Sequence, residues 1–199
     1  MTCVAYELAK EHNQGVPALI RARHPQMLLA LLAERHPHVH GKTMQTLPCA
    51  EKITHALPVE WLPVEMDVEL IDAVARQLSP STLDAVVAER QRQEMGSALF
   101  RTFVSTAQKL FGLTPKTMIR HLGRGWRQVF SDCGEIDVVS MEARQATMML
   151  RGLPEVCLAS AAWIGVLPAG LRVLYELINT PGDVSVTRRG PDVELAFRW

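Results

Sequence analysis

The sequence has no CxxC pair among its four cysteines and only two tyrosines. It also has no excess of either charge, no low-complexity stretch and no apolar run of membrane-spanning length. Each absence excludes something. Without paired cysteines, a zinc site of the ribbon or finger type has no ligands. With 21 basic and 21 acidic residues, the chain lacks the overall positive field of a nucleic-acid binder. The most apolar segment, 156–171, contains Gly165, Pro168 and Gly170 and falls short of the roughly 20 residues a membrane helix needs. The start, Met1-Thr2-Cys3-Val4-Ala5-Tyr6-Glu7, has neither the basic opening nor the apolar stretch of a secretory signal. Cysteines left as thiols suit a reducing compartment, so a cytoplasmic location is expected. No GxSxG, P-loop, HExxH or dinucleotide fingerprint occurs, which points away from an enzyme.

What is present is an ordinary globular composition. Of 199 residues, 48% are apolar, enough for one sizeable core and one domain over 1–199. Residues 1–56 are the less regular, helical part, and 57–199 form the main body. Val16 to Ala33 reads as a helix interrupted by Pro25, and His36 to Gly41 as a breaker-rich loop. Asp67 is placed to cap a helix carrying Leu70, Ile71, Val74 and Leu78 on one face. Ser81 and Asp84 have the spacing of a capping box for the next helix. Leu99, Phe100, Phe103, Val104, Ala107, Leu110 and Phe111 form an apolar stripe. Thr114-Pro115 opens a helix in cap-then-proline order. The period then shortens: 135–141 and 146–151 read as a β-hairpin, 156–179 as one long helix, and 183–187 with 193–199 as a second hairpin. The expected class is therefore α+β, with a helical N-terminal part and then helices packed on a small antiparallel sheet.

Three sets of residues invite functional readings. His36, His38 and His40 alternate, so on an extended strand they share one face about 6.6 Å apart and are candidate ligands for a divalent metal. Phe100, Phe103, Trp126 and Trp163 are candidates to line a pocket for a small apolar ligand. Arg120, Arg124 and Arg127 belong to a stretch, 96–131, that holds six basic residues and no acidic one. Five acidic residues and no basic one lie between Glu60 and Asp72. Opposed patches of this kind steer a protein partner or a second copy of the chain. The aromatics of the basic stretch fall on apolar stripes, so they are not base-stacking platforms. His121 is a further candidate as an axial ligand or general base.

The order of elements, with Gly125-Trp126-Arg127-Gln128-Val129-Phe130, Gly134-Glu135-Ile136-Asp137-Val138-Val139, Leu150-Arg151-Gly152-Leu153-Pro154 and the closing Phe197-Arg198-Trp199, resembles a family of bacterial proteins of about this length, known mainly as a paralogous set in myxobacteria. That family is similar to the 4-vinyl-reductase type of small-molecule-binding domain, and through it to the haem nitric-oxide-binding domains and the TRAPP vesicle-tethering subunits. The resemblance covers about 57–199. It implies a pocket or dimer surface between helices and sheet, and sensing or scaffolding rather than turnover. The haem-binding relatives use a proximal histidine and a Tyr-x-Ser-x-Arg motif. Neither Tyr6 nor Tyr175 begins that motif here, so the expectation is no cofactor, with haem set aside.

The function expected from sequence is a non-enzymatic sensory or adaptor module in bacterial signalling or regulation. It binds a small apolar ligand, a protein partner or itself as a homodimer. The alternatives are a structural adaptor without ligand, and a haem- or metal-dependent sensor or enzyme.

Overall fold

The computed structural model describes residues 17–96 and 114–199. The predicted stripe from Leu99 to Phe111, with Phe100 and Phe103, lies outside the described residues.

Two antiparallel sheets organise the fold. In the smaller, β1 (Leu19–Arg21) lies between β2 (Trp61–Pro63) and β3 (Phe130–Ser131). The expected helix over Val16 to Ala33 is corrected here. Ile20 is wholly buried between half-buried neighbours, a two-residue period, and its backbone is paired on both sides. The helix begins only at α1 (Arg23–Arg35). Pro25 sits in its first turn, where the missing N–H has no intrahelical partner to lose.

The expected loop at 36–41 is also corrected. His36, with φ −137° and ψ 59°, ends α1 and immediately precedes α2 (Pro37–Thr46). Proline at the first helical position suits a start rather than a break. The described part of 1–56 is thus regular, with α3 (Ala50–His55) following. Next comes α4 (Val64–Ala75), which starts three residues before the predicted cap. Asp67 lies inside this helix, on its buried face. In α5 (Pro80–Met95) the cap is Ser79, not Ser81: its Oγ accepts from the Thr82 N–H at 3.2 Å.

Thr114 caps α6 (Pro115–Val129) as the sequence predicts, accepting from the Thr117 N–H at 3.3 Å. This helix runs straight into β3. Gly123 sits against the larger sheet, where a Cβ would lie 3.0 Å from the Ile136 carbonyl oxygen. It therefore allows helix and strand to approach closely.

The larger sheet has the order β4 (Glu135–Met141), β5 (Gln145–Arg151), β7 (Asp192–Arg198), β6 (Asp183–Arg189). Both predicted hairpins are there, and the central strands pair with each other. Ala146, Met148 and Leu150 alternate inward on β5, as do Val193, Leu195 and Phe197 on β7, the pattern of a sheet buried on one face. On edge strand β4, Val138 and Val139 are exposed.

The single helix expected over 156–179 is three: α7 (Glu155–Ala159), α8 (Ala161–Gly165) and α9 (Leu167–Leu177). Ser160 makes the first break by capping α8, accepting from the Trp163 N–H at 3.0 Å. Its hydroxyl also donates to Asp72 at 2.6 Å, which ties the break to α4. Arg92 on α5 and Glu176 on α9 form a two-toothed ion pair at 2.7 and 2.9 Å. One buried apolar cluster includes residues of both sheets and of the helices packed on them. No helix among the described residues is long and apolar enough to cross a membrane.

Candidate functional site: a buried charged and aromatic cluster

Where α1, α4, α5 and α8 converge on β3, four ionisable side chains and three aromatic rings gather, all buried except Glu94 and Trp126, which are half-buried. His24 comes from α1, Asp67 from α4, and Arg90 and Glu94 from one face of α5. The rings are Trp126, Phe130 and Trp163. Trp126 and Phe130 stack with centroids 4.1 Å apart. Trp163 meets both edge-on, at 6.3 and 6.0 Å. The His24 ring lies edge-on to Phe130 at 5.9 Å.

The polar groups divide into those that are satisfied and those that are not. The Trp163 Nε1–H donates to Asp67 Oδ2 at 2.9 Å, and the Trp126 Nε1–H donates to the Cys133 carbonyl at 3.0 Å. His24 Nδ1 pairs with Glu94 Oε2 at 3.2 Å. Asp67 Oδ1 and the Nε and Nη1 of Arg90 have no hydrogen-bond partner among the described residues. Arg90 is only 5% exposed and Asp67 2%. Burial pulls the Arg90 pKa down, while the charges of Asp67 and Glu94 oppose that pull. A guanidinium still keeps its proton near neutral pH. Unmet donors and acceptors at such depth are uncommon in native proteins.

Burial alone would raise the Glu94 pKa, but hydrogen bonding and charge interaction with His24, and the charges of Arg90 and Arg23, hold it below the ordinary value. A carboxyl depressed on folding stabilises the protein fully above its unfolded pKa, about 4.3, and loses that contribution as pH falls through the folded value. Glu94→Gln is therefore expected to flatten the acid limb of stability, read as the urea midpoint between roughly pH 3 and 7.

The predicted residues are distributed as follows. Trp126 and Trp163, far apart in sequence, meet in this cluster. Arg120, Arg124 and Arg127 are exposed on one side of α6. Arg127 and Phe130 also line an open groove of about 710 Å³, with Trp61, Asp132, Glu135 and Arg151. Through Phe130 this groove adjoins the buried cluster. His36, His38 and His40 do not share a face: His38 and His40 are on α2, and residues two apart on a helix point away from each other. No group of three or more metal-ligating side chains comes together among the described residues. His121 is exposed on α6.

The acidic stretch from Glu60 to Asp72 is only partly a surface patch: Glu60 and Glu69 are exposed, while Asp67 is buried on Trp163 and Asp72 accepts from Ser160. Hydrogen bonding to Cys133, then burial, push the Cys157 thiol pKa up, so it is not a reactive thiolate. Sequence reasoning missed His24, Asp67, Arg90 and Glu94 as a set. The signal was there: Arg90 continues the apolar stripe of Leu83, Val86 and Val87, and Asp67 continues that of Leu70, Ile71 and Val74. A charge on a core stripe asks for a partner.

No family model matches the chain, and no curated protein matches it. Solved structures do. The chain is similar to an Fe(II) unliganded H-NOX protein from K. algicida, at 11% identity and a TM-score of 0.58, over 90% of this chain and 96% of that one. A structure described as probing the function of heme distortion in the H-NOX family matches at 9% identity and a TM-score of 0.58, covering 90% of this chain and 94% of that one. A Cs H-NOX mutant carrying the unnatural amino acid 4-cyano-L-phenylalanine matches at 9% identity and a TM-score of 0.54, covering 87% of this chain and 92% of that one. At such identities the likeness is one of fold, and it agrees with the α+β expectation. It also corrects the expectation that haem can be set aside. Two of the structures it resembles are described by their haem.

Proposed function

We propose that the chain is a sensory, non-enzymatic ligand-binding module of the cytoplasm, acting as one domain in bacterial signalling or regulation. The observation that carries this reading is the pair of opposite orphans, Arg90 and Asp67, buried beside three aromatic rings where helices meet sheet. A ligand that completes their hydrogen bonds favours the docked arrangement of α4, α5 and α8 over any looser one, which is a population shift. The groove beside Phe130 offers the approach. The exposed side of α6 with Arg120, Arg124 and Arg127 is the proposed output surface, for a protein partner or a second copy. This reading keeps the kinship to the myxobacterial set and to the 4-vinyl-reductase and TRAPP domains as its own proposal.

One observation favours haem as the ligand. His24 is the one buried imidazole among the described residues. A carboxylate on its Nδ1 is the arrangement that orients an iron-bound histidine and leaves Nε2 as the donor. With flat apolar rings and a buried guanidinium beside it, the residues fit the group by chemistry. Haem bound there would supply an iron centre able to bind small molecules. His24 would hold the iron, Glu94 would orient His24, and Arg90 would meet a carboxylate.

The test is direct. Native mass spectrometry of protein purified from its own cells should show mass above the bare chain, lost in Arg90→Met. Addition of haemin should give a Soret band that His24→Ala removes if haem is the ligand. A bare-chain mass, no Soret band and no thermal stabilisation by lipids, metals or haemin would leave the adaptor without ligand. Reversal of Arg120, Arg124 and Arg127 to Glu should abolish partner capture in a protein that keeps its melting temperature. Unchanged capture would place the output surface elsewhere.

A further inference from the structure

We propose that the open edge of β6 is a docking surface for a second copy of this chain. The two β6 strands pair antiparallel about Val186 and join the two larger sheets into one of eight strands. The hairpin turn decides which backbone groups are free for this. In the order β4-β5-β7-β6, β6 is an edge strand. It meets β7 in seven unbroken pairs, the last being Arg189 with Asp192 across Gly190 and Pro191. Gly190 has φ +65° and occupies the first central position, as in a type II′ turn. A two-residue turn closes on a pair that exchanges both main-chain bonds, and such pairs then alternate along the ladder. Asp183, Ser185, Thr187 and Arg189 therefore bond towards β7. Val184, Val186 and Arg188 turn their N–H and C=O groups to the open edge. No turn, cap or side chain among the described residues bonds those groups.

The register follows from those three residues. An antiparallel copy of the strand uses all of them only when Val186 faces its own counterpart, so that Val184 faces Arg188 of the second copy and the reverse. The same register sets Asp183 opposite Arg189 of the second copy, at both ends, and Ser185 opposite Thr187. These fall in the non-hydrogen-bonded pairs, where side chains lie closest. Opposite charges and hydroxyl pairs in such positions favour pairing. A parallel arrangement would set Asp183 beside Asp183 and Arg189 beside Arg189, so the charges select the antiparallel one. Asp183 and Arg189 are both exposed. Within their own chain they have only surface ion pairs, with Arg172 at 3.8 Å and Glu194 at 3.3 Å, which contribute little.

The opposite edge of the sheet is a poorer template. The register of β4 breaks between Val138 and Ser140, an irregularity of the kind that blunts sheet edges. Helix α6 also lies against β4, at Gly123 and Ile136. A β6-to-β6 contact closes on itself as a two-fold dimer, whereas β6 on β4 would propagate from copy to copy. The position also separates two surfaces. With α6 at the β4 edge, three strand spacings, about 14 Å, lie between β4 and β6. Pairing through β6 therefore leaves Arg120, Arg124 and Arg127 free for another protein.

Sedimentation velocity of the full chain should show a species of twice 22.2 kDa that grows with concentration. Asp183→Arg and Arg189→Asp should each weaken association at least about tenfold, because each sets like charges opposite one another at both ends. Mixed one to one, the two variants should form a heterodimer, since every pair is then opposite in sign. In the unaltered chain, amide exchange at Val184, Val186 and Arg188 should slow at least about tenfold as the dimer forms. Ser185 and Thr187, already bonded to β7, should not change. A monomer at every concentration, a dimer indifferent to both reversals, or a series of larger species overturns the proposal. So do folded single variants that stay monomeric when mixed. If a variant does not fold, the exchange pattern decides alone, and protection without that alternation overturns the pairing.

Discussion

Trp163→Ala is expected to destabilise the protein by about 4 to 6 kcal/mol, combining the loss of a buried indole with an unpaired buried carboxylate. The indole is nearly inaccessible and touches both Trp126 and Phe130. Its Nε1–H donates to Asp67 Oδ2, and the other oxygen of that carboxylate already has no partner. Truncation therefore opens a cavity and strands both carboxylate oxygens at once. Trp163→Phe separates the two effects. It keeps most of the ring and removes the donor, so about 1 to 3 kcal/mol should be lost. Equilibrium urea unfolding reads both. Equal losses for Ala and Phe would mean that packing contributes little, contrary to the geometry.

Gly134→Ala should cost about 3 kcal/mol or more, because a left-handed backbone and a hard steric contact act together. Its φ is +76°, and an added Cβ would lie 2.7 Å from the Arg151 carbonyl oxygen and 3.3 Å from the Leu153 nitrogen. Both neighbours are backbone and cannot turn aside as a side chain can. Gly152 is the control. Its φ is +70°, but a Cβ there meets nothing closer than 3.9 Å, so Gly152→Ala should cost only about 1 to 2 kcal/mol. Both glycines line the groove beside Phe130, and the stronger variant should also loosen the start of the β4–β5 hairpin. Amide exchange of β4 and β5 would report that. Equal losses at the two positions would show that the close approach at Gly134 relaxes freely.

The larger sheet is readable from local sequence because its signal is local. Alternation along 145–151 and 192–198, with turn residues between the strands, sets both hairpins without long-range information. Three-residue strands such as β1 and β2 leave no such trace. Leu19 and Ile20 look equally helical until the partners of Ile20, Leu62 and Phe130, are known. Ser160 breaks a helix that periodicity alone does not divide, since its partner, Asp72, is 88 residues away. Asp67 misleads for a related reason. An acid near a helix start suits a cap, and only the position of Trp163 explains why it is buried instead. In the aromatic set, Trp126 and Trp163 are legible from sequence as candidates. The charged set needs the packing of α1, α4 and α5 to become visible.

The direct passage of α6 into β3 has a mechanical consequence. With no linker residue between Val129 and Phe130, any tilt of the helix would pass directly into the small sheet. Fifteen helical residues make an arm of about 22 Å. A tilt of about five degrees at the Phe130 end displaces the far end by about 2 Å, by the same helical geometry. A change in the rings at Phe130 would therefore be felt most at Lys116, near the far end, and less at Arg120.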